Sequence, residues 1–263
     1  MIEKTQKEVQ WLLKEKYGGA EPPAFFDDVR RFNDGEPLDY VIGLVEFLGC
    51  RIDLSRRPFI PRPETEFWVK QAIEDLKNHS NVLKNIRMDR VRKSIRCLDI
   101  FSGSGCIGVA VLKYIPHAYV DFAEKESAFL DQIAINTKLN SIGRSRYRVI
   151  RSDVFSNVLD SYDYIFANPP YLAASREGKV QTSVLAWEPR GALFGGKDGL
   201  RYIKIFLKNA TRHLAPHGKL YFEFDTPQKK MIERIVAASE YRRSKFYKDQ
   251  YSVWRYAVCE PHH

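Results

Sequence analysis

The strongest constraint on this chain is an alternation of two periodicities. Short apolar runs at residues 94–100, 118–123, 147–150, 162–167 and 219–224 are bounded by glycine, proline or charged residues. Longer amphipathic stretches lie between and after them, at 106–114, 126–139, 200–213 and 228–238. The short apolar runs read as buried strands and the stretches with a 3.6-residue pattern as helices. Strands that alternate with helices imply an α/β fold, a mostly parallel sheet with helices on both faces. Two further segments, 244–247 and 252–259, read as the arms of a closing hairpin or as two edge strands. Ligands bind beyond the carboxyl ends of the strands in open sheets of this kind. The residues that follow each run are therefore the candidates for function.

The run 162–167 ends in Asn168-Pro169-Pro170-Tyr171. This tetrad suits a planar –NH2 group. The Asn168 side-chain oxygen can accept one N–H hydrogen bond, and the Pro169 carbonyl can accept the other. The prolines fix φ and remove backbone donors, so the rim presents acceptors. Tyr171 offers a flat face on which an amide or a base can stack. Asn-Pro and Pro-Pro are also common loop punctuation, so the tetrad gains weight only from its neighbours.

Those neighbours are acids and glycines. The run 94–100 leads into Phe101-Ser102-Gly103-Ser104-Gly105 and then into the helix 106–114. Glycines there let backbone approach a ligand closely. Neither G-x-G-x-x-G nor a Walker lysine is present, which argues against a phosphate cofactor. Glu124 directly follows the next strand, with Glu126 as the nearby competitor, and Asp153 with Val154 follows the third. Asp99-x-Phe101-x-Gly103-x-Gly105 resembles the acidic, glycine-rich turn of S-adenosylmethionine-dependent methyltransferases, with Phe101 where that family has its first glycine. The resemblance implies S-adenosyl-L-methionine as cofactor, with Asp99 facing its cationic end. Glu124 would then accept from the ribose diol, Asp153 from the adenine amino group, and Val154 would lie against the ring.

Composition narrows the class. The chain has 263 residues, 44% hydrophobic and 29% charged, enough for one large α/β domain and a small appendage. No apolar run approaches the length of a membrane span. Residues 1–19 lack the apolar core of a secretory signal. Cys50, Cys97, Cys106 and Cys259 are scattered, which suits a reducing compartment and argues against a zinc site. The expected location is cytoplasmic, or the mitochondrial matrix for a eukaryotic source, and the expected state a monomer. A net charge of +9 favours an acidic partner, nucleic acid or something bound to it.

The organisation expected is a helical N-terminal region over 1–34, a linker with a short β-hairpin over 35–57, and a catalytic domain over 58–263. Helices are expected at 3–17, 24–32 and 66–76, the last capped by Thr65, with an exposed loop that holds some helix over 77–93. Residues 172–194, poor in strand and helix signals, are expected to form a lid over the Asn168 loop.

The whole resembles the HemK/PrmC family, protein-(glutamine) methyltransferases that act on peptide-chain release factors. The resemblance covers nearly everything after residue 34. It rests on Gly35-Glu36-Pro37-Leu38, Ile60-Pro61-Arg62-Pro63-Glu64-Thr65-Glu66, the glycine turn, Asn168-Pro169-Pro170-Tyr171, Glu188-Pro189, the run from Gly195 to Leu200, and Glu223 with Gln228. Asp225 stands where the family has glycine, and the N-terminal region is shorter than the usual helical bundle. The resemblance implies a Rossmann-like class I fold with a seven-stranded, mostly parallel sheet and a C-terminal antiparallel hairpin. It implies that Arg62, Glu64 and Thr65 line the methionine side of the cofactor pocket. It implies methylation of the side-chain amide of the glutamine in the Gly-Gly-Gln loop of a class I release factor, with nucleic acid a secondary partner at most. Two other readings compete. One is methylation of an exocyclic amino group of a DNA or rRNA base, which presents the same donors to Asn168. The other is an RNA-associated binding protein that has kept the fold without catalysis.

Overall fold

The computed structural model describes residues 6–85 and 94–262. At the N-terminus α1 (Gln6–Tyr17), α2 (Pro23–Asn33) and the short α3 (Leu38–Ile42) bury Leu12, Leu13, Phe25, Phe32 and Val41 against one another. Asp28, almost wholly buried, stays charged there because Lys16, the Tyr17 hydroxyl and Arg31 all donate to it. Next comes an antiparallel hairpin of β1 (Leu44–Phe47) and β2 (Cys50–Asp53), closed at Leu48 and Gly49, both with positive φ. Two-residue hairpin turns of this hand follow the twist of the strands. The hairpin docks on the main core through buried Phe47, Cys50 and Ile52.

Helix α4 (Pro63–Asn85) is longer than the expected 66–76 and begins at a proline, which has no N–H to leave unsatisfied in a first turn. Trp68, Val69, Ala72, Ile73 and Leu76 form its buried stripe. No glycine or proline interrupts 64–85, so the helix continues through residues expected to be loop. Residues 86–93, the rest of that expected loop, lie outside the described residues.

The remaining elements are β3 (Ile95–Ile100), α5 (Cys106–Tyr114), β4 (Ala118–Glu124), α6 (Ser127–Leu139), β5 (Tyr147–Arg151) and β6 (Tyr162–Ala167). They are followed by α7 (Thr182–Trp187), α8 (Arg190–Leu193), α9 (Arg201–Ala210), β7 (Leu214–Glu223), α10 (Lys229–Ala237), β8 (Tyr241–Lys248) and β9 (Trp254–Pro261). The seven-stranded sheet has the order β5-β4-β3-β6-β7-β9-β8, and only the β7-β9-β8 pairings are antiparallel. That is the Rossmann-like methyltransferase architecture with its C-terminal hairpin. The stripe of α4 packs on one face of the sheet with α5 and α6, while α9 and α10 cover the other with Ile203, Phe206, Leu207, Ile232 and Val236.

The chain winds outward from β3 to β5, then returns to place β6 on the other side of β3. Ligands bind at the carboxyl end of a sheet at such a reversal. Register brings the strand ends level. Ile100 pairs with Ala123 and Ala167, and Ala167 pairs with Phe222. The next residues, Phe101, Glu124, Asn168 and Glu223, therefore emerge side by side. Residues 172–194 are more ordered than their sequence suggests, with a 3-10 turn over Ala174–Lys179 followed by α7 and α8. Among the described residues no helix is long and apolar enough to cross a membrane.

Candidate active site

A cavity of about 720 Å³ opens at these strand ends, within the roughly 300–1,000 Å³ usual for small-molecule sites. Its lining includes Arg62, Glu64, Thr65, Phe101, Ser102, Gly103, Ser104, Glu124, Asp153, Val154 and Asn168-Pro169-Pro170-Tyr171. The sequence candidates from four separate strand ends thus share one cavity, except Gly105, which sits just behind the turn as the N-cap of α5.

The glycine turn is held at both ends. The Ser102 hydroxyl donates to the Asp99 carbonyl at 2.7 Å, and the Ser104 carbonyl accepts from Asn136 at 2.8 Å. Gly105 has φ +76°, and a Cβ there would lie 3.1 Å from Ile133. Phe101 adopts φ +62°, the left-handed region that a glycine would enter freely. A bulky residue there stores strain on the order of 1–3 kcal/mol. The ring is anchored edge-on to Tyr202 and Phe206. Val154, also in the left-handed region at φ +53°, is held by the Ser152 hydroxyl on its carbonyl at 2.7 Å.

Asp99 does not face the cavity. One carboxylate oxygen accepts the Gly108 N–H at 2.9 Å, and the other is buried without a partner among the described residues. Burial pushes its carboxyl well above the usual range. Its role is to satisfy an orphan donor in the first turn of α5.

Glu124 takes three backbone N–H groups: Gly103 on one oxygen at 2.8 Å, Lys125 and Glu126 on the other at 2.7 and 2.9 Å. Burial raises its pKa against the lowering effect of those bonds. An ionised carboxylate has about four acceptor sites, so one remains toward the cavity. Glu126, the competitor, precedes α6 and also lines the cavity, but among the described residues its side chain accepts no such set of backbone bonds. Asp153 stands half exposed at the mouth, paired with Lys125 at 3.0 Å.

Asn168 is oriented by a chain of bonds that begins at Glu223. Indole N–H can only donate, and Trp68 Nε1 lies 2.8 Å from Glu223 Oε2. That oxygen therefore accepts, and the Thr65 hydroxyl, 2.7 Å away, donates its proton to it. The Thr65 oxygen is left to accept Asn168 Nδ2 at 3.2 Å. The Asn168 amide oxygen has no donor among the described residues, and Asn168 and Pro169 both line the cavity. The other Glu223 oxygen accepts the Tyr171 hydroxyl at 2.9 Å. Burial raises the pKa of both Glu223 and Tyr171. Thr65 lies inside the first turn of α4, and its hydroxyl serves this network instead of capping the helix.

The backbone of the tetrad is buttressed from behind. Gln228 Nε2 donates to the Tyr171 carbonyl at 2.8 Å. A Cβ on Gly195 would collide with the Pro170 carbonyl, and one on Gly199 with the Tyr171 carbonyl. Val184, Pro189, Ala192 and Leu193 give the cavity an apolar roof, tied to the tetrad where the Leu172 N–H donates to the Leu193 carbonyl. That roof is pinned by buried Glu188, which pairs with Arg62 and accepts the Ile60 N–H. Glu223 and Arg255 also line the cavity and were not among the sequence candidates for it. Among the described residues no group of His, Cys, Asp or Glu is arranged to hold a metal ion.

The family model for the methyltransferase small domain matches residues 77–189. A release factor glutamine methyltransferase of Thermodesulfovibrio yellowstonii is 31% identical over 226 residues, 86% of this chain and 76% of that protein. Another, from Streptococcus pneumoniae, is 28% identical over 252 residues, 95% of this chain and 84% of that protein. Among solved structures, the hMettl16 catalytic domain in complex with an RNA hairpin of the MAT2A 3'UTR superposes with a TM-score of 0.63 at 16% identity, covering 82% of this chain and 77% of that one. At that identity the likeness is one of fold.

Proposed function

The chain belongs to the release factor glutamine methyltransferase family, and on that premise we propose that it methylates the side-chain amide nitrogen of the Gly-Gly-Gln glutamine in a class I release factor, using S-adenosyl-L-methionine. The observation that carries this reading is the orientation of Asn168. On this reading its amide oxygen and the Pro169 carbonyl supply two acceptors, the complement of one –NH2 group.

The donor set suits the cofactor. The glycine turn carries no phosphate-binding lysine, and Glu124 keeps one acceptor site for a hydroxyl. Acids at the second and third strand ends favour an uncharged nucleoside with a cationic tail. When bound, S-adenosyl-L-methionine supplies an electrophilic methyl group on a sulfonium. On this reading Phe101, Ser102, Gly103, Ser104 and Gly105 shape its cradle. Glu124 holds the ribose, Asp153 and Val154 hold the base, and Arg62, Glu64 and Thr65 border the methionine side.

An amide nitrogen is a poor nucleophile because its lone pair is delocalised, so positioning carries the chemistry. Asn168 and Pro169 hold the two N–H groups and aim the nitrogen. Tyr171, tied at its hydroxyl by Glu223 and at its carbonyl by Gln228, presents a fixed ring face to the amide plane. The apolar roof excludes water. Mass spectrometry of a release factor incubated with the enzyme and cofactor tests this directly. One added methyl group on the loop glutamine is expected, and its absence with methylation elsewhere would contradict the proposal.

Glu124→Ala is expected to weaken cofactor binding by about 1–3 kcal/mol, the loss of a charge-assisted hydrogen bond. Isothermal titration of the two proteins measures it. Because burial raises the Glu124 pKa, affinity should also fall on acidification while the pH is still above the ordinary carboxylate range. If Glu126→Ala showed the loss and Glu124→Ala did not, the ribose assignment would move to Glu126.

A further inference from the structure

We propose that Arg255 binds the carbonyl oxygen of the acceptor amide and so completes recognition of the whole –CONH2 group. The inference rests on the reading of the site as an amide methyltransferase. An amide offers two N–H donors and one carbonyl acceptor. Asn168 and Pro169 supply acceptors only, so the carbonyl needs a donor from elsewhere in the wall.

The hydroxyls beside the tetrad are committed: Thr65 and Tyr171 both donate to Glu223. The Leu172 and Ala192 N–H groups donate to the Leu193 and Pro189 carbonyls. Arg255 is different. Its Nε donates to Asp249 at 2.9 Å, and Asp249 is itself fixed by the Tyr251 and Val253 N–H groups. The two terminal guanidinium nitrogens have no acceptor among the described residues, and the side chain lines the cavity. Glu223 attracts Arg255 as an opposite charge, but no hydrogen bond joins the two among the described residues, where Glu223 accepts from Thr65, Trp68 and Tyr171. Arg255 is thus an aimed, restrained donor with unused capacity.

Its place in the sheet gives the side of the site it serves. The glycine turn, Glu124 and Asp153, the candidates for the nucleoside end of the cofactor, follow β3, β4 and β5, on one side of β6. Arg255 follows Trp254 at the start of β9, beyond β7 on the other side, next to Glu223, which pairs with Tyr256. The other guanidinium in the wall, Arg62, lies over Phe59 and is matched by buried Glu188. A carboxylate substrate would satisfy Arg255 but offer Asn168 and Pro169 no donors. A simple amine would leave Arg255 unpaired. The amide meets both requirements; a nucleobase with a ring acceptor beside its amino group would also meet them, and the family to which the chain belongs favours the amide.

A donor on the carbonyl favours the delocalised amide, so Arg255 contributes to substrate binding more than to methyl transfer. Steady-state kinetics with a purified release factor test this. Arg255→Met should raise KM for the release factor at least ~10-fold, the scale of one lost charge-assisted hydrogen bond, with a smaller change in kcat. Cofactor affinity by titration should stay within about twofold. Arg255→Lys keeps a cation for buried Asp249 but not the planar fork, so it should fold normally and still show the raised KM. Free guanidinium, below denaturing concentration, should partly restore Arg255→Ala. An unchanged KM in the Lys and Met variants of an active enzyme overturns the proposal, as does a loss confined to cofactor affinity. A wild-type enzyme that methylates no release factor instead removes the reading beneath it.

Discussion

Asn168→Ala should lower methyl transfer by on the order of 100-fold or more, the scale of misplacing a reacting group, while cofactor affinity stays near wild type. Removing the side chain deletes the one acceptor whose direction is set by the Thr65–Glu223 network. The acceptor nitrogen then loses half of the pair that aims it. Asn168→Asp separates two contributions. It keeps an acceptor oxygen but loses the donor to Thr65, whose only hydroxyl proton is already given to Glu223. The aspartate variant should therefore be more active than the alanine variant and less active than wild type. Single-turnover rates at saturating cofactor measure both, and near-full turnover by the alanine variant would remove Asn168 from the mechanism.

Glu223→Ala should be more damaging to the protein as a whole. Glu223 is almost fully buried and accepts from Thr65, Trp68 and Tyr171. Truncation leaves three buried donors unsatisfied, at about 1–3 kcal/mol each before relaxation. The expected loss of several kcal/mol is a large part of a typical domain's roughly 5–15 kcal/mol, and chemical denaturation reads it. Glu223→Gln is the informative partner. Its oxygen can still accept from Trp68 and Thr65, and its NH2 can donate to a rotated Tyr171 hydroxyl. Burial raises the Glu223 pKa, so its ionised form is disfavoured in the fold and the neutral amide escapes that penalty. Glu223→Gln should therefore keep most stability and most activity. Equal damage from Ala and Gln would mean that the charge, not the acceptor geometry, is what the network needs.

The sheet was legible from its apolar runs, because buried parallel strands have no polar face to obscure the pattern. The strand-end rule then located Glu124 and Asn168, which directly follow such runs, and Asp153, which comes after Arg151 and Ser152. The same rule points at Glu223, which ends the apolar run of β7; what hid its role was that its partners lie on α4 and in the tetrad, more than fifty residues or more than one hundred and fifty away. Arg255 carries no local signal at all. It reaches the cavity because β9 returns antiparallel beside β7, and that pairing depends on tertiary packing. Asp99 shows the opposite case. Its place near a strand end suggested a ligand contact, but side chains alternate along a strand, and its own points under the turn to Gly108. The left-handed backbone at Phe101 was hidden as well, because a phenylalanine there gives no hint of the conformation that a glycine would announce.

Methyl transfer from labelled S-adenosyl-L-methionine to a purified class I release factor, its loop-glutamine variant, RNA and DNA tests the central claim most directly. The account requires label in the release factor, none in the glutamine variant, and none in either nucleic acid. The basic surface, with a net charge of +9, should at most let nucleic acid compete weakly, and salt should abolish that competition. Label in RNA or DNA with none in the release factor would contradict the account, leaving the fold and the cavity as they are described and changing what enters it.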